Sequence, residues 1–436
     1  MYLFSGDRTL LKPKQIPSHF HLSETCKGAL LWCDDRFTRV TQSAKSVVLE
    51  VMRPEIDRQP VCILEWDLSL GRLRQSRAWS GEFSAHFSGD PLIVASHAKL
   101  VATVIKRPVR LHRLPAGAAV EGRLGSHSSL RMVSPKPPKI SRMTYAETVQ
   151  EVRRLVMDSV ARCARGGAEL MLSGGVDSSI VAAAGTALGF KLRSFTYALR
   201  RPPRPEHADT SDRLFSARVA AHLGIPHHVI EIDAKALRRN VPLAIYLAET
   251  SRGTIVDELA AHIEVARFLC AAGVDRLLTG EGADDLFGAF PSTLRRYRGH
   301  ELARFLRREL IQGLPDELAE LQQAYAPWGV ALVHPYWTEE LRAIGYGLRI
   351  PFRIDRRRLM KRVLRDAFAD LLPPDVIERP KGVPRDCAQI RDVLEARFGG
   401  NPNRYRPILR TMMLRRLKWP AGLPPLPKNS NECAPK

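Results

Sequence analysis

Between residues 168 and 280 the chain alternates strand-length apolar runs with helix-length ones, and this alternation limits the possible folds more than any other feature. "ELMLS" (169–173), "KLRSFTYAL" (191–199), "HHVIEI" (227–232) and "VDRLLTG" (274–280) read as strands. "SSIVAAAGTALG" (178–189), "RLFSARVAAHLG" (213–224) and "VDELAAHIEVARFLCAAG" (256–273) read as helices, the first closed by Gly189. Strands separated by helices cannot pair through tight hairpins, so the fold class is α/β, a parallel sheet covered on both faces. Upstream, Thr144 and Glu147 form a capping-box pattern. Val149, Val152, Leu155, Val156 and Val160 then recur at helical spacing, which predicts an amphipathic helix over 145–164.

The flanks differ in texture. Residues 1–122 carry short apolar runs between turn residues ("SVVLEVM", "VCILEWDL", "LIVAS") and read as a β-rich domain. Residues 123–143 are rich in Ser, Pro and basic side chains, as a linker is. A second domain is expected over 144–418, mostly helical beyond residue 290, before a Pro-rich tail over 419–436. No apolar run approaches the about 18 residues a membrane span needs, and the start lacks a signal-peptide layout. The seven cysteines form no C-x-x-C pair. A cytoplasmic protein is therefore expected. With 67 basic and 46 acidic residues the net charge is +21. Basic runs such as "LRRYRGHELARFLRREL" (294–310) have leucines at helical spacing, and no aromatic RNA-binding signature accompanies them. They read as solvated helix faces, and nucleic acid is not the expected partner.

The chemistry concentrates in "LMLSGGVDSS" (170–179), where a strand turns into a helix. Glycines let the backbone approach an anion, Ser173, Ser178 and Ser179 offer hydroxyls, and the helix start offers N–H groups. Lacking the lysine of a Walker loop, the turn offers Asp177 instead, a carboxylate suited to Mg²⁺ against phosphate oxygens. It resembles the S-G-G-x-D-S-S pyrophosphate loop of the N-type ATP pyrophosphatases. "LLTGEGADDLFGAF" (277–290) is similar to the S-G-E-G-x-D-E-L-F-G-G-Y signature of the asparagine synthetase family, departing at Thr279, Asp285, Ala289 and Phe290. "KRVLRDAFADLLPPDVIERPKGVP" (361–384) resembles that family's K-x-x-L-R-x-A…R-P-K run. "RSFTYAL" and "HLGIPHHVIEI" resemble further segments. "HPYWTEEL" (334–341) stands where the family carries R-x-P-F-L-D-x-x-L, with Thr338 at the aspartate.

The resemblance implies an adenine nucleotide α-hydrolase-like ATP-pyrophosphatase domain with a helical C-terminal part, using ATP and Mg²⁺. By it, Leu172, Ser173, Gly174, Gly175, Asp177, Ser178, Ser179 and Gly280 bind ATP or pyrophosphate, with Phe195 and Thr196 beside the adenine. Asp177 and Asp284 hold metal, Glu281 orients or deprotonates the amine, and Lys381 meets the acyl-adenylate. The front of the chain ("GRLRQSRAWSGEF", "LIVASHAKLVATV", "LHRLPAGAAV") is similar to the glutaminase-type domain of class II amidotransferases. Working domains of that class begin Met-Cys, whereas this chain begins Met1-Tyr2-Leu3, and tyrosine supplies no thiolate. A degenerate domain without glutamine hydrolysis is expected. Relatives with that loss include β-lactam and carbapenam synthetases and the lasso peptide cyclases. Retention of Glu281, which β-lactam synthetases replace by tyrosine, makes a lasso cyclase the expectation, acting on a precursor peptide freed by a separate leader peptidase. An ammonia-using asparagine synthetase or another small-molecule amide ligase is the alternative.

Overall fold

The computed structural model describes residues 143–380 with breaks at 165, 201–211, 289–290 and 356–358, then 390 and 392–394, and a discontinuous set of strands and turns between 2 and 138. In the N-terminal part the strand Tyr2–Ser5 lies between Leu92–Ala95 and Gly28–Trp32 in a six-stranded sheet. Pro60–Asp67 lies between Ser46–Met52 and Arg72–Arg77 in a second. Period-two alternation turns Leu73, Gln75 and Arg77 inward while Arg72 and Arg74 face out. Tyr2, Leu30 and Val94 of one sheet and Leu49, Leu64, Trp66 and Val120 of the other share one apolar core.

From residue 145 onward, where the labels begin, the expected α/β layer is present. Helix α1 (Tyr145–Cys163) opens with the capping box: Thr144 Oγ1 accepts from the Glu147 amide, and the Glu147 carboxylate accepts from the Thr144 amide at 2.7 Å. Strands β1 (Ala168–Met171), β2 (Leu192–Leu199), β3 (His227–Ile232), β4 (Arg276–Leu278) and β5 (Ala331–Val333) form a parallel sheet in the order β3-β2-β1-β4-β5. Helix α2 (Val176–Ala187) follows β1 and α3 (Asp212–Leu223) follows β2. Helices α4 (Ala234–Ala248) and α5 (Gly253–Ala271) join β3 to β4. Adjacent residues of one strand enter opposite cores: Leu278 and Val333 pack with α1 and α2, Leu277 and Leu332 with α4 and α5. Burial on both faces is why these strands read as continuous apolar runs.

The strand order positions the site. The chain runs outward from β1 to β3, then returns to lay β4 on the other side of β1. Loops diverge to opposite faces at such a reversal and leave a crevice at the strand ends, where ligands of open α/β sheets bind. The loops after β1 and β4, the two glycine-rich stretches, border it. Beyond β4 come α6 (Ala283–Phe287), α7 (Leu314–Tyr325), α8 (Glu339–Gly347) and α9 (Arg362–Ala367). Polar bonds tie this layer to the N-terminal sheets: Trp337 Nε1 donates to the Ser80 carbonyl at 2.8 Å, and Arg77 pairs with Asp316 at 2.9 Å.

Candidate active site at the centre of the parallel sheet

The first loop is stapled by its own hydroxyls. Ser178 Oγ accepts from the Ser173 amide at 3.1 Å and lies 3.1 Å from Ser173 Oγ, which accepts from the Gly175 amide at 3.3 Å. Gly174 has φ +70°, and a Cβ there would fall 2.4 Å from the backbone of Phe215 and Ser216. Only glycine lets the chain pass that close to α3. Gly175 is the N-cap of α2 and offers no side-chain acceptor to the first-turn N–H groups. Those donors, with the positive end of the helix dipole, face the crevice as an anion site requires. Leu172 anchors the loop in the core, its amide donating to the Phe195 carbonyl at 2.7 Å. Ser179 Oγ is buried without a hydrogen-bond partner.

The second loop is packed directly on the first. A Cβ on Gly280 would lie 2.8 Å from the Ser178 amide nitrogen and 3.1 Å from Asp177 Cβ. Gly282, with φ +92°, starts α6, which carries Asp284. The structure therefore brings Asp177 and Asp284 to one place, and a single cation joins them. Lys361 Nζ meets Asp177 Oδ2 and lies 2.8 Å from Asp284 Oδ1. Asp177 Oδ1 is buried and has no hydrogen-bond partner. Tyr336, whose hydroxyl is pushed up by burial and by the nearby Asp177 charge, donates to the Asp177 carbonyl at 3.0 Å.

These groups fit a divalent ion. Two carboxylates converge on one cation, and one carboxylate oxygen is left without a donor. Among the described residues no group of three His, Cys, Asp or Glu side chains converges. Mg²⁺ needs no such cage, since it is commonly held by one or two carboxylates with phosphate oxygens completing its shell.

Other expected residues fall around this centre. Glu281 is exposed beside the crevice, its amide donating to Thr279 Oγ1 at 3.2 Å. Its charge, after burial itself, raises the Tyr325 hydroxyl, which bonds His262 Nδ1. Phe195 and Thr196 are buried in β2, level with the end of β1 where Met171 pairs with Phe195. His227 bridges Ser194 Oγ and Ser216 Oγ at 2.9 and 3.0 Å, a structural role. Lys381 lies outside the described residues, as does the tail from 419. Thr338 caps α8, accepting from the Leu341 amide at 3.3 Å, which an aspartate there would equally do.

Sequence reasoning missed three cations. Lys361 opens the K-x-x-L-R-x-A run, which was therefore the available signal. Arg379, in "ERPK", donates to the Ser173 carbonyl at 3.2 Å and to Asp212 at 3.0 Å, and lies 3.9 Å over the Phe215 ring. Arg353, lowered to about 10 by burial and held up by Asp285, donates to the carbonyls of Leu286 and Gly288 at 2.8 and 3.2 Å, closing the end of α6. Burial, then the charges of Glu317 and Asp284, raises the Asp285 carboxyl well above the usual carboxylate range.

Tyr2 lies in the first strand of the N-terminal sheets. It is fully buried, its hydroxyl 2.9 Å from Cys62 Sγ and accepting from Gln75 Nε2 at 2.7 Å. Its amide donates to Ser96 Oγ at 3.0 Å. Burial pushes the Cys62 thiol up to about 11, so it supplies no thiolate at neutral pH.

The sequence pattern of the asparagine synthase family matches residues 151–313 and 294–418. The carboxyethyl-arginine beta-lactam-synthase of Streptomyces clavuligerus is 30% identical over 280 residues, 62% of this chain and 51% of its own. The glutamine-hydrolyzing asparagine synthetase B of Escherichia coli strain K12 is 25% identical over 228 residues, 49% of this chain and 40% of its own. A glutamine-hydrolyzing asparagine synthetase of Arabidopsis thaliana is 25% identical over 57% of this chain and 43% of its own. The matches thus span about half or less of each of these relatives. The family match covers more than half of the chain, both glycine-rich loops included: the chain belongs to the asparagine synthase family.

Proposed function

We propose that this protein is an AMP-forming carbon–nitrogen ligase that activates a carboxylate with ATP and joins it to an amine without hydrolysing glutamine. The observation that carries this reading is the meeting of Asp177 and Asp284 on one cation beside the stapled serine–glycine loop. The helix start and the loop hydroxyls receive the β- and γ-phosphates. Asp177 and Asp284 would hold Mg²⁺, which when bound neutralises phosphate charge and favours departure of pyrophosphate. The substrate carboxylate oxygen attacks the α-phosphorus, the bond to the pyrophosphate bridging oxygen breaks, and an acyl-adenylate forms. Glu281 accepts a proton from the amine, which attacks the acyl carbon as AMP leaves with the former carboxylate oxygen. Lys381 supplies positive charge where these oxygens become more anionic.

The finer reading is lasso macrolactam closure: an internal Asp or Glu side chain joined to the N-terminal amine of a leaderless peptide. Two features support it. The glutaminase resemblance at the front of the chain has a tyrosine, Tyr2, where a cysteine is expected, which favours an amine carried by the substrate, and Glu281 is retained. The N-terminal sheets then serve as a degenerate amidotransferase-like domain. Similarity to the Streptomyces clavuligerus beta-lactam-synthase favours a second reading, ring closure within a small amino acid derivative. Pyrophosphate release separates them. A leaderless peptide with N-terminal Gly and an internal Asp or Glu should stimulate release and yield a product one water lighter. Release only with aspartate plus ammonium, or only with a small amino acid derivative, would remove the peptide reading and keep the ligase.

A further inference from the structure

Lys361 does something the ligase reading leaves unexplained. Its side chain is 2% exposed, and its ammonium contacts both carboxylates assigned to the metal. The backbone is bent to deliver it: φ at Lys361 is +64°, a left-handed conformation that residues with side chains rarely adopt and that tends to persist at functional sites. Gly288 leaves the stem its room, since a Cβ there would fall 3.2 Å from Lys361 Cγ and 3.5 Å from Cε. A buried ammonium loses its hydration and is stable only with the anions it meets.

Charge arithmetic makes the position consequential. Two carboxylates and one ammonium leave the trio at −1. Adding a divalent ion on the same oxygens would bring the cluster to +1, with cation beside cation in a shielded crevice, unless phosphate arrives as well. The ammonium and the metal therefore compete until nucleotide enters. We propose that Lys361 is the resident counter-ion of the Asp177–Asp284 pair. It holds the carboxylates together in the nucleotide-free protein and yields them to the metal only when phosphate oxygens arrive to accept its hydrogen bonds. Lys361 is thus a positioning residue that makes metal binding conditional on nucleotide. This rests on Asp177 and Asp284 being the metal carboxylates.

The test uses Mn²⁺ as probe and the full chain without nucleotide, with free Mn²⁺ read by electron paramagnetic resonance. Wild type should bind Mn²⁺ more weakly than about 1 mM. Lys361→Gln, whose amide can still hydrogen-bond the carboxylates, should bind at least about tenfold more tightly. Mn²⁺ should raise the Tm of Lys361→Gln and leave that of wild type unchanged. Adding Asp284→Asn to Lys361→Gln should abolish the gain. Micromolar binding by nucleotide-free wild type would overturn the proposal by itself, whatever the variants' folding, and so would equal affinity in wild type and a folded Lys361→Gln. Absence of pyrophosphate release with every substrate would instead strike the ligase reading, a separate readout from the nucleotide-free titration.

Discussion

Tyr2 in the N-terminal sheets and Asp177 at the parallel sheet have opposite surroundings. Tyr2 is sealed: its hydroxyl meets Cys62 and Gln75, its amide meets Ser96, and its ring fills the core between two sheets. Asp177 is poised: one oxygen is held by a lysine and the other, though buried, meets no donor. An unpaired buried oxygen costs on the order of 1–3 kcal/mol. It lies beside a glycine loop whose Ser173 carbonyl accepts from Arg379 at 3.2 Å. The polar atoms of Tyr2 all find partners, whereas Asp177 keeps one oxygen without a donor.

Substitutions at the two places should part accordingly. Asp177→Ala or Asp284→Ala should lower pyrophosphate release by on the order of 10²–10³-fold, since charge in the transition state loses a fixed partner. Steady-state release under saturating ATP checks this; wild-type rates in either variant would break the contrast. Next is Gly174→Ala, whose Cβ would collide with the Phe215–Ser216 backbone at 2.4 Å while φ stays at +70°. A loss of about 3 kcal/mol is expected from backbone strain and displacement of α3, visible as a lower urea midpoint. Tyr2→Phe strands the Gln75 amide and should cost about 1–2 kcal/mol of stability while leaving pyrophosphate release unchanged. A fall in turnover larger than the fall in folded protein would tie the N-terminal sheets to the chemistry. The smallest effect belongs to Thr338→Ala, about 1 kcal/mol for a lost helix cap, with Thr338→Asp restoring it.

The same contrast governs what the sequence makes legible. Four strands of the parallel layer follow from periodicity, because each long apolar run sits between turn signals. Two elements escape this reading. Strand β5 has only three residues, Ala331–Val333, too few for any period, and α4 carries Pro242 inside it, which reads as a break. In the site, the loops are visible because glycines, hydroxyls and acids crowd into a few positions. Lys361 is visible only as the first residue of the K-x-x-L-R-x-A run, and nothing in that run places it at the two carboxylates. Its role depends on a left-handed backbone and a partner 184 residues away. Thr338 shows the reverse: a departure from the family pattern that looks chemical in the sequence is a helix cap in space, a role an aspartate would also fill.

The measurement that tests the central claim most directly follows the carboxylate oxygen. A peptide carrying ¹⁸O in its internal Asp or Glu carboxyl is incubated with ATP, Mg²⁺ and the full chain, and the nucleotide product is weighed. Adenylation transfers one labelled oxygen from the peptide to AMP as the amide forms, so AMP should gain about 2 Da. Amide product with unlabelled AMP, or with label in inorganic phosphate beside ADP, would contradict activation by adenylate at this site.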